Sequence, residues 1–126
     1  MFVELNSNPI NARVGDCVIR AIAAAENKPW GKIYIDLCIY GLMCADLPTS
    51  NNVWGRFLND HKYQYFALPN SCPFCYSIKE FCKDYPLGTY VLGTGTHAVC
   101  VKDGNYLDSW DSGNEVPIYA FKKMED

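Results

Sequence analysis

"THAVCVKDGNYLDSWDSG", residues 96–113, is the stretch on which the reading of the whole chain turns. At its centre stand Asp103 and Gly104. A two-residue type I′ turn needs positive φ at both central positions, and Asp-Gly supplies them at little cost. Strands are therefore expected on either side. With the turn at Asp103 and Gly104, Val99 lies opposite Asp108 and His97 opposite Trp110. The two-residue period then puts His97, Val99, Tyr106, Asp108 and Trp110 on one face. His97 and Asp108 become diagonal neighbours within side-chain reach. A turn at Gly104 and Asn105 shifts the pairing by two and keeps both residues on that face, and Asp111 is an alternative carboxylate. A carboxylate aimed at a histidine is the base and orienting half of a catalytic triad.

A triad needs a nucleophile from elsewhere, and Cys17 is the candidate. In "DCVIRAIAAAE", residues 16–26, Val18, Ile19, Ile22 and Ala25 mark one face of a helix rich in good helix formers. Asp16 occupies the N-cap position, so Cys17 falls in the first turn. Unpaired N–H groups and the positive end of the helix dipole favour a thiolate there.

The chain has 126 residues, the size of a single domain, so one site is sought over residues 1–126. Its net charge is −3, with acidic and basic residues interspersed and no basic stripe to follow phosphates. Nucleic acid is not an expected partner. The first residues, "MFVELNSNPINARVGD", lack the pattern of a signal peptide, and no apolar run is long enough for a membrane span. No membrane association is expected, and the expected location is cytoplasmic. Seven cysteines in a reduced compartment are read as buried packing groups, metal ligands or a nucleophile, before a disulfide framework.

Around the hairpin the elements follow local signals. A short strand is expected at Phe2 to Leu5. A second helix carries Trp30, Ile33, Tyr34, Leu37, Cys38 and Gly41 behind Pro29. A third, capped by Ser50 or Asn51, points Val53, Trp54, Phe57 and Leu58 inward. A strand is expected at Tyr63 to Leu68, and Ser77 with Glu80 forms a capping box for a short helix that ends before Pro86. From Gly88 onward four β-rich runs suggest an antiparallel meander. Its last run, "VPIYAF", is expected at an edge, with Lys122 and Lys123 as protection. Helices first and strands afterwards imply an α+β fold, an N-terminal helical lobe packed on a C-terminal antiparallel sheet.

Two other motifs compete with the triad. Cys72 and Cys75 in "CPFC" have glutaredoxin spacing, but the strands that follow do not complete a thioredoxin-like fold. Cys72, Cys75 and Cys82, with His61 as a fourth ligand, are an alternative zinc site, although no second close pair completes a two-knuckle pattern. Packing is the preferred role for these cysteines, and no cofactor is expected. "LGTGTH", residues 92–97, lacks the Gly-Lys-Ser/Thr ending of a phosphate loop, and its glycines are read as allowing a tight turn before His97.

"VGDCVIRAI" followed by "GTHAVCVKDGNYLDSWD" resembles the papain-like cysteine peptidase superfamily in its small form, the peptidase C39-like proteins. The whole chain resembles proteins of that kind encoded by phages and mobile elements of Gram-positive bacteria. The resemblance implies a papain-like fold, a bacterial host cell, and a hydrolase of peptide, isopeptide or amide bonds. Cys17 would be the nucleophile, His97 the general base and Asp108 the orienting residue. The family's upstream Gln is absent, and Asn11 is the nearest substitute for stabilising the oxyanion. Val18 and Ser109 also replace a usual small residue and a frequent Pro. Trp110, Tyr106 and Trp54 are expected to wall the cleft. The alternative is a catalytically inactive protein of this fold that captures a host protein or small ligand there.

Overall fold

The computed structural model describes residues 1–69 and 75–124. In chain order these form β1 (Phe2–Glu4), α1 (Cys17–Glu26), α2 (Trp30–Cys44), α3 (Asn51–Asp60), β2 (Tyr63–Ala67), α4 (Ile78–Asp84), β3 (Thr89–Gly93), β4 (Ala98–Lys102), β5 (Asn105–Asp108) and β6 (Tyr119–Lys123). The mixed α+β class agrees with the expectation from sequence. The strands make one six-stranded sheet in the order β1-β5-β4-β3-β6-β2.

Strand alternation divides the core into two layers. Val91, Ala98, Cys100 and Phe121 face the layer built from α1, α2 and α3. Tyr90, Leu92, Val99, Val101, Tyr106 and Ala120 face the other, where Ile78, Phe81 and Cys82 of α4 cover them. The inward stripe expected for α3 is present, with Val53, Trp54, Phe57 and Leu58 all at 1% exposure or less. Burying each such side chain contributes roughly 1.5–3 kcal/mol before entropy is set against it, so this stripe anchors α3 more firmly than its propensity could.

Local signals translate faithfully. Asp103 and Gly104 have φ of 48° and 77°, and Lys102 pairs with Asn105 across the turn. The reciprocal capping box between Ser77 and Glu80 opens α4. Between β3 and β4 the Thr94 N–H donates to the His97 carbonyl at 2.9 Å, with Gly95 at φ +99°, which is the tight turn anticipated ahead of His97. Ser50 precedes α3 as expected, but makes no side-chain cap.

Long-range pairing departs from the meander in two places. β6 does not follow β5 at an edge; it lies between β3 and β2, antiparallel to both. Ala120 is buried in one layer and Phe121 in the other, and a strand covered on both faces belongs inside a sheet. Edge protection by Lys122 and Lys123 is therefore not needed there. The sheet is also mixed, because β1 runs parallel to β5, pairing Phe2 with Tyr106 and Glu4 with Asp108. No helix among the described residues is long and apolar enough to cross a membrane.

Candidate active site

α1 begins at Cys17, and His97 immediately precedes β4 while Asp108 is the last residue of β5. The hairpin register therefore delivers the imidazole and the carboxylate to the same end of the sheet, against the first turn of α1. His97 Nε2 and Asp108 Oδ2 are 2.6 Å apart. The Cys17 thiol hydrogen-bonds the His97 ring and the backbone of Ala98. With Nε2 engaged by Asp108, Nδ1 is the nitrogen left for sulfur.

Electrostatics follow from these contacts. Burial alone pushes the Cys17 thiol up, but the hydrogen bonds from His97 and Ala98 and the charges of His97 and Arg20 outweigh it, and the thiol lies below its ordinary range. Burial alone lowers His97, yet its bonds to Asp108 and Cys17 carry it up to about 9. Opposite directions on two bonded partners favour a thiolate beside an imidazolium. Other thiols behave differently: burial pushes Cys100 up to about 12 and also raises Cys82.

Asp108 is held on both oxygens. Oδ2 also accepts from the Ser112 hydroxyl at 2.7 Å; Oδ1 accepts from the Ser109 N–H at 2.7 Å and from Arg20 at 3.1 Å. These bonds overcome burial and keep the carboxyl below its usual range. Asp111, the alternative carboxylate, instead accepts from the Tyr106 hydroxyl.

Arg20 is the residue that sequence reasoning missed. Its Nε donates to Asp16 at 2.8 Å, while Asp16 also accepts from Asn8 and the Trp30 indole. Asp16 thus stands at the expected N-cap position without capping α1 through its side chain. Its carboxylate is spent on Arg20, which ties the start of α1 to Asp108. The signal was a single arginine within the otherwise apolar run of residues 17–25.

The structure sorts the other expected site residues. Trp110, 46% exposed, lies over the imidazole with ring centroids 5.1 Å apart. Trp54 forms part of a cavity of about 210 Å³ shared by Cys17, His97, Asn51, Thr49 and Gly95. Its indole donates to Asn51 Oδ1 at 3.0 Å. Tyr106 is not brought to this cleft; it is buried on the opposite face of the sheet, under α4. Alternation put it on the same face as His97, but His97 lies outside its ladder, where alternation no longer dictates direction. Asn11 is also elsewhere, exposed on the wall of a separate cavity of about 890 Å³ with Arg20 and Trp110.

For the zinc alternative, Cys72 lies outside the described residues. His61 stacks on Phe57 on the α3 side, whereas Cys82 belongs to α4 and packs on the other face of the sheet, so His61 and Cys82 do not converge. Cys75 precedes α4 and does not share a helical stripe with Cys82. Among the described residues no group of three or more His, Cys, Asp or Glu is arranged to hold a metal.

The chain matches no protein-family model, no curated protein and no solved structure. The class defined by fold and site is thus an α+β protein with a hydrogen-bonded Cys/His/Asp cluster at the junction of a helix and a sheet.

Proposed function

We propose that this protein is a papain-like cysteine hydrolase acting on a peptide, isopeptide or amide bond. The observation that carries the reading is the continuous chain from the Cys17 thiol through the His97 ring to Asp108, with Cys17 at a helix start. The Cys17 thiolate would attack the carbonyl carbon, and His97 would give its proton to the leaving amine as the C–N bond breaks. A water, deprotonated by His97, would then release the acyl group and restore the thiolate. Asp108 would fix the imidazole orientation throughout.

Asn11 lines a separate cavity, whereas Asn51 shares one with Cys17 and His97 and is the better-placed donor for the oxyanion. Its Oδ1 is occupied by the Trp54 indole, which leaves its NH₂ group available in the cavity beside Cys17. The unpaired N–H of Cys17 would be the second donor. The cavity suits a small, partly polar group next to the scissile bond, with Trp54 and Val18 as its apolar wall.

The test is iodoacetamide labelling of each cysteine across pH, read by peptide mass spectrometry. Cys17 should label fastest, with an apparent pKa below that of a free thiol, and His97→Ala should raise it. Equal labelling of Cys17 and Cys38, or no response to His97→Ala, would refute the reading. Unimpaired biological function of Cys17→Ala would instead favour a host-protein or small-ligand binding role for a phage or mobile-element protein.

A further inference from the structure

Asp16 and Arg20 form an ion pair that the chemistry above does not use, although it reaches the reacting groups. The guanidinium divides its bonds between two carboxylates: Nε donates to Asp16 at 2.8 Å, while Nη1 donates to Asp108 at 3.1 Å and to the Ser109 hydroxyl at 2.8 Å. Asp108 holds His97 with its other oxygen, and the His97 ring holds the Cys17 thiol. Burial raises the Asp16 carboxyl, but the bonds from Arg20, Asn8 and Trp30 outweigh it and keep it ionised. One line of charges of alternating sign therefore runs from Asp16 through Arg20, Asp108 and His97 to Cys17. Each member of such a line stabilises its neighbours, so deleting one shifts the proton affinity of those beyond it.

We propose that Arg20 and Asp16 are positioning residues that set the proton balance of the Cys17/His97 pair through Asp108, and that they act in opposite directions. The consequence for catalysis rests on the hydrolase reading; the proton balance itself rests only on the contacts. Without the Arg20 cation, Asp108 would hold the imidazolium proton more strongly and the thiolate would lose a nearby positive charge. Both groups would then give up their protons at higher pH. Without the Asp16 anion, the whole Arg20 charge would fall on Asp108 and Cys17, and both protons would leave at lower pH. Other charged groups facing this line are weak competitors. Glu4, paired with Asp108 across β1 and β5, and Arg13, in the loop ahead of α1, share a cavity with the ion pair, but both are exposed and screened by water. Asp111 is engaged by the Tyr106 hydroxyl. On β6, burial, Tyr65 and Cys17 push the Tyr119 phenol up, so it stays neutral.

The experiment follows two groups in the full chain across pH: the His97 ring by NMR titration and Cys17 by iodoacetamide labelling. In wild type His97 should titrate at about 9. Arg20→Gln should move both midpoints up by about one pH unit, and Asp16→Asn should move both down by a similar amount. Arg20→Lys keeps the charge without the planar fork, so it should lose thermal stability while its midpoints stay close to those of wild type. A merely structural ion pair would lower stability in all three variants and move the midpoints of Arg20→Gln and Asp16→Asn the same way or not at all. Either result would overturn the proposal, as would an Arg20→Lys variant whose midpoints follow Arg20→Gln. If Arg20→Gln does not fold, the downward move in Asp16→Asn and the unmoved midpoints of Arg20→Lys still decide the matter. A wild-type Cys17 that labels no faster than Cys38 would overturn the hydrolase reading, whereas the His97 midpoints judge this proposal without reference to thiol reactivity.

Discussion

Removing Arg20 tests the frame of the site directly. Its guanidinium joins Asp16 and Asp108, whose side chains are only 4% and 2% exposed, and is itself 12% exposed. Arg20→Met keeps much of the apolar stem and deletes the charge, so two buried carboxylates lose a shared cation. Breaking a buried pair from one side typically costs about 3–5 kcal/mol. Asp16 keeps its bonds from Asn8 and Trp30, and Asp108 keeps His97, Ser109 and Ser112, which places the expected loss near the lower bound. At roughly 4 °C per kcal/mol for a chain of this size, Tm should fall by about 12 °C. Lys123→Met serves as the comparison, because Lys123 pairs with Glu26 at 3.1 Å but is 40% exposed. That pair should contribute less than about 1 kcal/mol. Differential scanning calorimetry at neutral pH measures both variants. The gap between Arg20→Met and wild type should narrow on acidification, as the carboxylates that need the cation become neutral. Equal losses for the two variants, or a gap independent of pH, would refute the account.

Two further outcomes follow from the same contacts. The raised His97 contributes stability fully below its ordinary value of 6.5 and loses it as pH climbs through about 9. The lowered Asp16 and Asp108 contribute above the ordinary 3.8 and lose that stability as pH falls through their native values. The lowered Cys17 thiol opposes the loss at His97, because it gains stability as pH rises toward its ordinary 9.0. Thermal scans against pH should therefore show an acid limb and an alkaline limb shallower than His97 alone would give, and His97→Ala should flatten the alkaline one; an unchanged alkaline limb would contradict the assignment. At the hairpin, Gly104→Val forces a β-branched residue to φ +77° with its Cβ 3.2 Å from the Cys82 carbonyl. A loss of about 1–3 kcal/mol is expected in urea melts, whereas Asp103→Asn, which tolerates the same backbone, should stay within about 0.5 kcal/mol.

How far the site was legible in advance depended on the range of each interaction. Asp-Gly set the register of β4 and β5 because a turn's backbone requirement acts over four residues, and that register carried His97 and Asp108 to one end of the sheet. The apolar spacing of α3 likewise marked Trp54 as inward, although not that its indole would hold Asn51 at the rim of the cavity. Asn11 and Tyr106 were assigned by distance along the chain and by alternation, and neither measure survives a loop or the end of a ladder.

The sequence by itself determined the helices, the hairpin and the pairing of His97 with Asp108, since periodicity, capping and turn chemistry are written among near neighbours. Only the tertiary structure decided that β6 enters between β3 and β2, that β1 lies parallel beside β5, and that Arg20 bridges Asp16 to Asp108. Those outcomes depend on which buried surfaces and charges find partners across the fold, and residues 88 positions apart, as Arg20 and Asp108 are, carry no local signal of their meeting.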